Sequence, residues 1–183
     1  MALTYTCNLS QGYPVPCRNS SGGIQEVWIG TWNGASTTIT TGTASFETGA
    51  GTEIISVTGS GLFYPFPQPL ETGEFSQAGG FSTENGTSMY TQTLNITIQQ
   101  YNGFSWGQIN ILGQGVWRIL VLDQNGNYFY LGSQNGCRVT AATPGAGKSM
   151  NDLNGAIITF EGKEPVPAYQ ISANAAIQLM SGT

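Results

Sequence analysis

Between Val116 and Gly132 the sequence reads VWRILVLDQNGNYFYLG, and this stretch constrains the fold more than any other. Val116 to Leu122 is an almost continuous apolar run, as a strand buried on both faces requires. Asn125-Gly126 follows, the strongest short hairpin signal, because both residues accept the left-handed backbone of a tight turn. Tyr128 to Leu131 then returns as the partner strand. The flanking sequence is β-rich as well. In YTQTLNITIQ, Tyr90 to Gln99, Leu94, Ile96 and Ile98 alternate with Thr93, Asn95, Thr97 and Gln99. That period of two puts one face on a core. Cys137, Val139 and Ala141 repeat the pattern after a turn at Asn135-Gly136. Asn154-Gly155 turns into AIITFEG, where Ala156, Ile158 and Phe160 face one way and Ile157, Thr159 and Glu161 the other. Upstream, EVWIGTW, STTIT and EIISVTG read as strands between Gly- and Thr-rich turns.

The period changes once, in FSWGQINILGQG. Ser105 followed three residues later by Gln108 fits a capping box. Ile109, Leu112 and Val116 share a helical face, so a short helix is predicted over Trp106 to Leu112, held by packing despite Gly107. Residues 170–183 form a C-terminal docking segment, a last short strand or a docked stretch. The sum is a single mainly-β domain over residues 1–183, an antiparallel β-sandwich with one short helix. Its core is expected at Leu94, Ile96, Ile98, Ile119, Val121, Ile158 and Phe160, touching Ile109 and Leu112.

Composition narrows the function. Only 8% of residues are charged, against roughly 25% in an ordinary domain, while Gly fills 26 positions. A surface this poor in charge suits burial in an assembly. Ten carboxylates face Arg18, Arg118, Arg138, Lys148 and Lys163, too few and scattered for a basic stripe. Sequence-specific binding of DNA or RNA is therefore not expected. The chain has no histidine, which removes the commonest general base and the commonest zinc ligand. Cys7, Cys17 and Cys137 lack C-x-x-C spacing and read as small buried or half-buried thiols, with a Cys7–Cys17 bridge left open. Neither metal nor cofactor is expected. No apolar N-terminal segment resembles a signal peptide, and no run approaches the ~20 apolar residues of a membrane span. The expectation is a chain that starts at Met1 and folds in a cytoplasm. The sequons at Asn8, Asn19, Asn85 and Asn95 occur at the level of chance in so Asn- and Thr-rich a chain.

One motif argues for chemistry. TPGAGKSM, Thr143 to Met150, ends like a phosphate-binding P-loop, and RILVLD closes on Asp123 like a magnesium-binding strand. Three things oppose that reading. Ala142 stands where the first glycine belongs, MNDLNGAIITF leaves no room for a helix to receive phosphate, and Asp123 lies upstream of the loop. A flexible Gly-rich loop is the better reading. DQNGN, 123–127, lacks the sixth-position glycine and the twelfth-position glutamate of a calcium loop, and reads as a hairpin turn. Glu71 and Glu74 read as solvated charge rather than a hydrolytic pair, and Trp28, Trp32, Trp106 and Trp117 as packing rather than a sugar platform. No catalytic constellation remains, and the chain is not read as an enzyme.

PFPQPLETGEFSQAGGFSTENGTS, residues 65–88, holds three prolines and little periodicity, and is long for a routine connection. It also carries Phe66, Leu70, Phe75 and Phe81, more apolar anchors than a free linker uses. It is read as a projecting loop or arm whose anchors bury against a neighbouring subunit. The order strand, short helix, buried strand, hairpin, strand over residues 88–168 resembles the tail-tube fold of phages. YLGSQNGCRVTAATPGAGKSMNDLNGAIITFEGKEPVPAY is similar to the C-terminal half of small virion structural proteins from phages of gut Bacteroidetes. That resemblance implies a homo-oligomeric ring or tube, usually sixfold, meeting other virion proteins and forming a DNA conduit. It places the chain in the virion tail, made in the host bacterial cytoplasm. An acidic balance suits a conduit that must not hold the duplex. A capsid decoration or head fibre protein, and a carbohydrate-binding β-sandwich module, stay open as alternatives.

Overall fold

The computed structural model describes residues 20–32, 38–46, 49–58 and 62–181, the two middle spans by their strand backbone. Cys7 and Cys17 lie outside the described residues. The elements run β1 (Ile24–Thr31), β2 (Thr38–Phe46), β3 (Gly49–Thr58), β4 (Phe63–Pro67), β5 (Glu74–Ser82), β6 (Thr87–Gln99), α1 (Gly103–Gln114), β7 (Trp117–Asp123), β8 (Tyr128–Leu131), β9 (Cys137–Gly145), β10 (Gly155–Glu164), β11 (Tyr169–Ile171) and α2 (Ala173–Ser181).

The protein is mainly β, as the patterning predicts. Its strands join one hydrogen-bonded sheet in the order β2-β3-β11-β8-β7-β9-β10-β6-β5, with β1 beside β7 and β4 beside β1. Pairing is antiparallel except between β11 and β3. Where two separate sheets were expected, the bonding continues through one bridge, Trp117 opposite Cys137. Side chains from both sides of that bridge still meet in one core. Val27, Ile29, Ile119, Val121 and Leu131 come from one half, Leu94, Ile96, Ala156, Ile158 and Phe160 from the other, and Leu112 of α1 joins them. Six of the seven expected core residues are fully buried, and Ile98 packs against the cluster half-buried.

β7 explains its own sequence. Arg118, Ile119, Leu120 and Val121 are buried in succession, because a second cluster lies on the other face. Leu120 meets Phe63, Tyr130 and Ile171 there, under Ala175, Ala176 and Leu179 of α2. Arg118 is accommodated in that layer with its guanidinium 4.9 Å from the centre of the Phe63 ring. The tail segment is thus a three-residue strand followed by a helix. Ser172 begins α2, its hydroxyl accepting the Ala175 amide at 3.3 Å.

α1 starts earlier than the expected Trp106, and a different residue caps it. The Asn102 side chain accepts the Phe104 and Ser105 amides at 3.0 Å each, and the Ser105 hydroxyl accepts the Asn102 amide at 2.8 Å. Those reciprocal bonds satisfy first-turn donors that Ser105 and Gln108 were expected to serve. In β9, Thr140 is a bulge, since Ala141 pairs with Thr159 and Val139 with Phe160. Cys137 is buried and Val139 half-buried, but from Thr140 on the strand is exposed throughout, so Ala141 does not join the core as the alternation predicts.

Residues 65–88 form no irregular arm. β4 pairs with β1, Val27 opposite Phe66, and β5 pairs with β6 from Glu74–Asn95 to Ser82–Thr87. Main-chain bonding to β6 orders a strand that hardly touches the core, which is why no alternation marks it. A hairpin signal was present in Asn85-Gly86, and Gly86 adopts a φ of 61° in the turn. β10 accompanies β6 only as far as Tyr90. Beyond Gly79 and Tyr90, among the described residues, β5 and β6 continue as a two-stranded ribbon.

Candidate interaction surface

The loop that reads like a phosphate cradle holds an anion of its own. β9 runs on to Gly145 and β10 begins at Gly155, so the loop joins antiparallel strands and opens no helix. The amides of Lys148 and Ser149 donate to one carboxylate oxygen of Asp152 at 2.8 and 2.7 Å, and the Ser149 hydroxyl to the other at 3.0 Å. These bonds, the Ser149 amide first, hold the Asp152 carboxyl below its ordinary value. Asp123 does similar work in the β7–β8 turn, accepting the Asn125 and Asn127 amides at 2.9 and 2.7 Å. Burial raises its pKa, but hydrogen bonds from Asn127 and Asn125 outweigh that effect and the net shift is downward. Both aspartates are turn builders.

The remaining chemical candidates are equally occupied or apart. Glu71 sits exposed in a turn at a φ of 62°, and the Glu74 carboxylate lies 3.5 Å from the Asn95 amide group. Trp28 packs on Tyr128 and the Trp117 indole donates to the Leu112 carbonyl at 2.8 Å, but Trp106 is 57% exposed and does not serve the core as expected. Cys137 is free and buried, and burial pushes its thiol up to about 12. Among the described residues no three metal-ligating side chains gather. Glu164, also buried, accepts the Asn135 amide at 2.9 Å and the Gln134 amide at 3.2 Å.

The four proposed interface residues divide into two pairs. Phe66 packs half-buried on this chain's own core, and Phe75 does so with its ring 5.7 Å from that of Phe129. Neither is a free anchor for a neighbour. Leu70 and Phe81 are 78% and 71% exposed, so they remain available. Phe81 is also held in place: its ring meets Tyr90 edge-on at 5.7 Å, lying over Gly79. A Cβ on Gly79 would come to 2.8 Å from the tip of that ring, so a larger residue there would make Phe81 shift.

A second apolar feature escaped the sequence reading. Between β4 and α1 lies a cleft of about 570 Å³ lined by Tyr64, Pro65, Phe104, Gln108, Ile111 and Trp117. Phe104, Gln108 and Ile111 follow the spacing of one helical face, while Ser105 and Leu112 on another are buried. Tyr64, Phe104 and Ile111 are 60%, 77% and 54% exposed, and the cleft holds no Asp, Glu, Lys or Arg. The i, i+4, i+7 spacing of Phe104, Gln108 and Ile111 was the available signal. An adjoining cleft shares Pro65, Phe104 and Gln108 and reaches Gln99 and Gln100 at the end of β6. No protein-family model matches the chain, and no curated protein or solved structure shows significant similarity to it.

Proposed function

We propose that this chain is a structural subunit of a phage virion, built to assemble with copies of itself into a ring or tube of the tail. The observation that carries the reading is the exposure of large apolar side chains on a β framework very poor in charge. Leu62, Tyr64, Leu70, Phe81, Phe104 and Ile111 are all more than half exposed, in a chain with five basic and ten acidic residues. Tyr64, Phe104 and Ile111 share one cleft, and contiguous apolar surface of that kind marks contact with other macromolecules. The turn-building roles of Asp123 and Asp152 support a structural task over phosphate chemistry. Net charge of −5 suits a conduit along which a duplex slides. Among the described residues no helix is long and apolar enough to cross a membrane.

Purified protein examined by sedimentation velocity and negative-stain imaging tests the reading. Rings or stacked tubes are the expected result. A monomer at every concentration overturns it, and saturable glycan binding or capsid binding by that monomer would favour the sugar-binding or decoration alternatives.

A further inference from the structure

We infer that the β4–α1 cleft receives the ribbon tip of a second copy of this chain, so that subunits join head to tail through Phe81. The inference rests on the assembly reading above and names the contact that builds it. Three observations carry it.

The first is position. The cleft adjoins, through Pro65, Phe104 and Gln108, the one that reaches Gln99 and Gln100 at one end of β6, while Phe81 pairs across from Ser88 at the other. β6 has 13 residues, and at about 3.3 Å per residue it separates knob from hole by roughly 40 Å. One chain therefore cannot seat its own Phe81, but a copy displaced along the strand direction can.

The second is chemical match. The cleft is lined by aromatic and aliphatic groups without a charged residue. The ribbon from Phe75 to Tyr90 carries one charge, Glu84, in its turn. Burying these two surfaces together desolvates no ion pair, and it covers Phe81, Phe104 and Ile111 at once. The third is pre-organisation. The Phe81 ring already rests edge-on against Tyr90, and the cleft wall is a capped helix, so neither backbone has to reorganise on docking. Knob and hole are different patches, so the contact is heterologous and propagates into a closed ring or an open filament.

Two exposed substitutions test this, each checked for an unchanged β-rich circular dichroism spectrum. Phe81→Ser removes the knob and keeps the cleft; Phe104→Asp spoils the cleft and keeps the knob. Gln108→Glu replaces Phe104→Asp should that variant lose its fold. Sedimentation velocity should show each variant alone as a monomer under conditions where the wild type assembles. Mixed in equal amounts, they should form a two-subunit species and nothing larger, since one live knob meets one live cleft. Variants that assemble like the wild type, or a mixture that stays monomeric or grows beyond two, overturn the head-to-tail contact while the assembly reading stands. A wild type that never assembles overturns both.

Discussion

Asp152 shows how one side chain decides what a motif can do. Backbone amides after a Gly-rich turn attract anions wherever they converge, and here a carboxylate four residues on takes them. Lys148→Ala should therefore leave stability and assembly unchanged, and calorimetric titration of the wild type with ATP or GTP should show no binding. Micromolar affinity lost in the variant would restore the phosphate-loop reading. The same bonds fix a pH response. The folded carboxyl titrates below its ordinary value of 3.8, so its contribution is present above that value and is lost as pH falls through the folded pKa. Carboxyl carbon shifts of Asp152 followed by NMR should show a midpoint under 3.8; a midpoint at or above it would mean the amides are not engaged. Ala142 and the missing helix spoke against a phosphate loop in the sequence already, but the partner Asp152 was not legible, since its role depends on backbone direction.

Gln68 shows the same dependence at the scale of elements, because it ties two halves of the sheet together. Its side-chain oxygen accepts the Thr97 amide of β6 at 2.8 Å, while its amide group donates to the Phe66 and Pro67 carbonyls at 3.1 and 3.3 Å. Gln68→Ala would leave the buried Thr97 amide unsatisfied, at a cost of about 1–3 kcal/mol. Urea unfolding should show that loss, and hydrogen exchange should quicken at Thr97; an unchanged midpoint would show that water replaces the side chain. Strand patterning reads well where one face is dry: β6 and β10 alternate cleanly because Leu94, Ile96, Ile158 and Phe160 all turn inward. It fails where both faces are wet, as in β5, whose order comes from its neighbour's main chain. The helical form of α2 was missed because nine residues are too few to stand alone. Ala175, Ala176 and Leu179 stabilise it only by covering Leu120 and Tyr130, a contact that local sequence cannot display. The β4–α1 cleft was missed for a related reason: its walls are far apart in the chain, and only the fold of β4 onto β1 brings them together.

For the whole molecule, α2 is the cover of the second apolar layer. Ending the chain at Ala168 removes β11 and α2, and should expose Phe63, Leu120 and Tyr130 together. Loss of a cooperative melt and binding of a hydrophobic dye are expected; a sharp melt near the wild-type temperature would show that the layer does not need its cover. The pairing order of the sheet also has a consequence for synthesis. β1 finds its partner β7 some 90 residues later, Ile29 lying opposite Ile119, and the backbone of β3 pairs with β11 only when Gln170 and Ile171 arrive. A ribosome emitting roughly 5–20 residues per second offers β1 its β4 partner first, and the other edge of β1 waits several seconds more for β7. The core that Val27 and Ile29 share with Ile119 and Val121 therefore cannot form until β7 has been made.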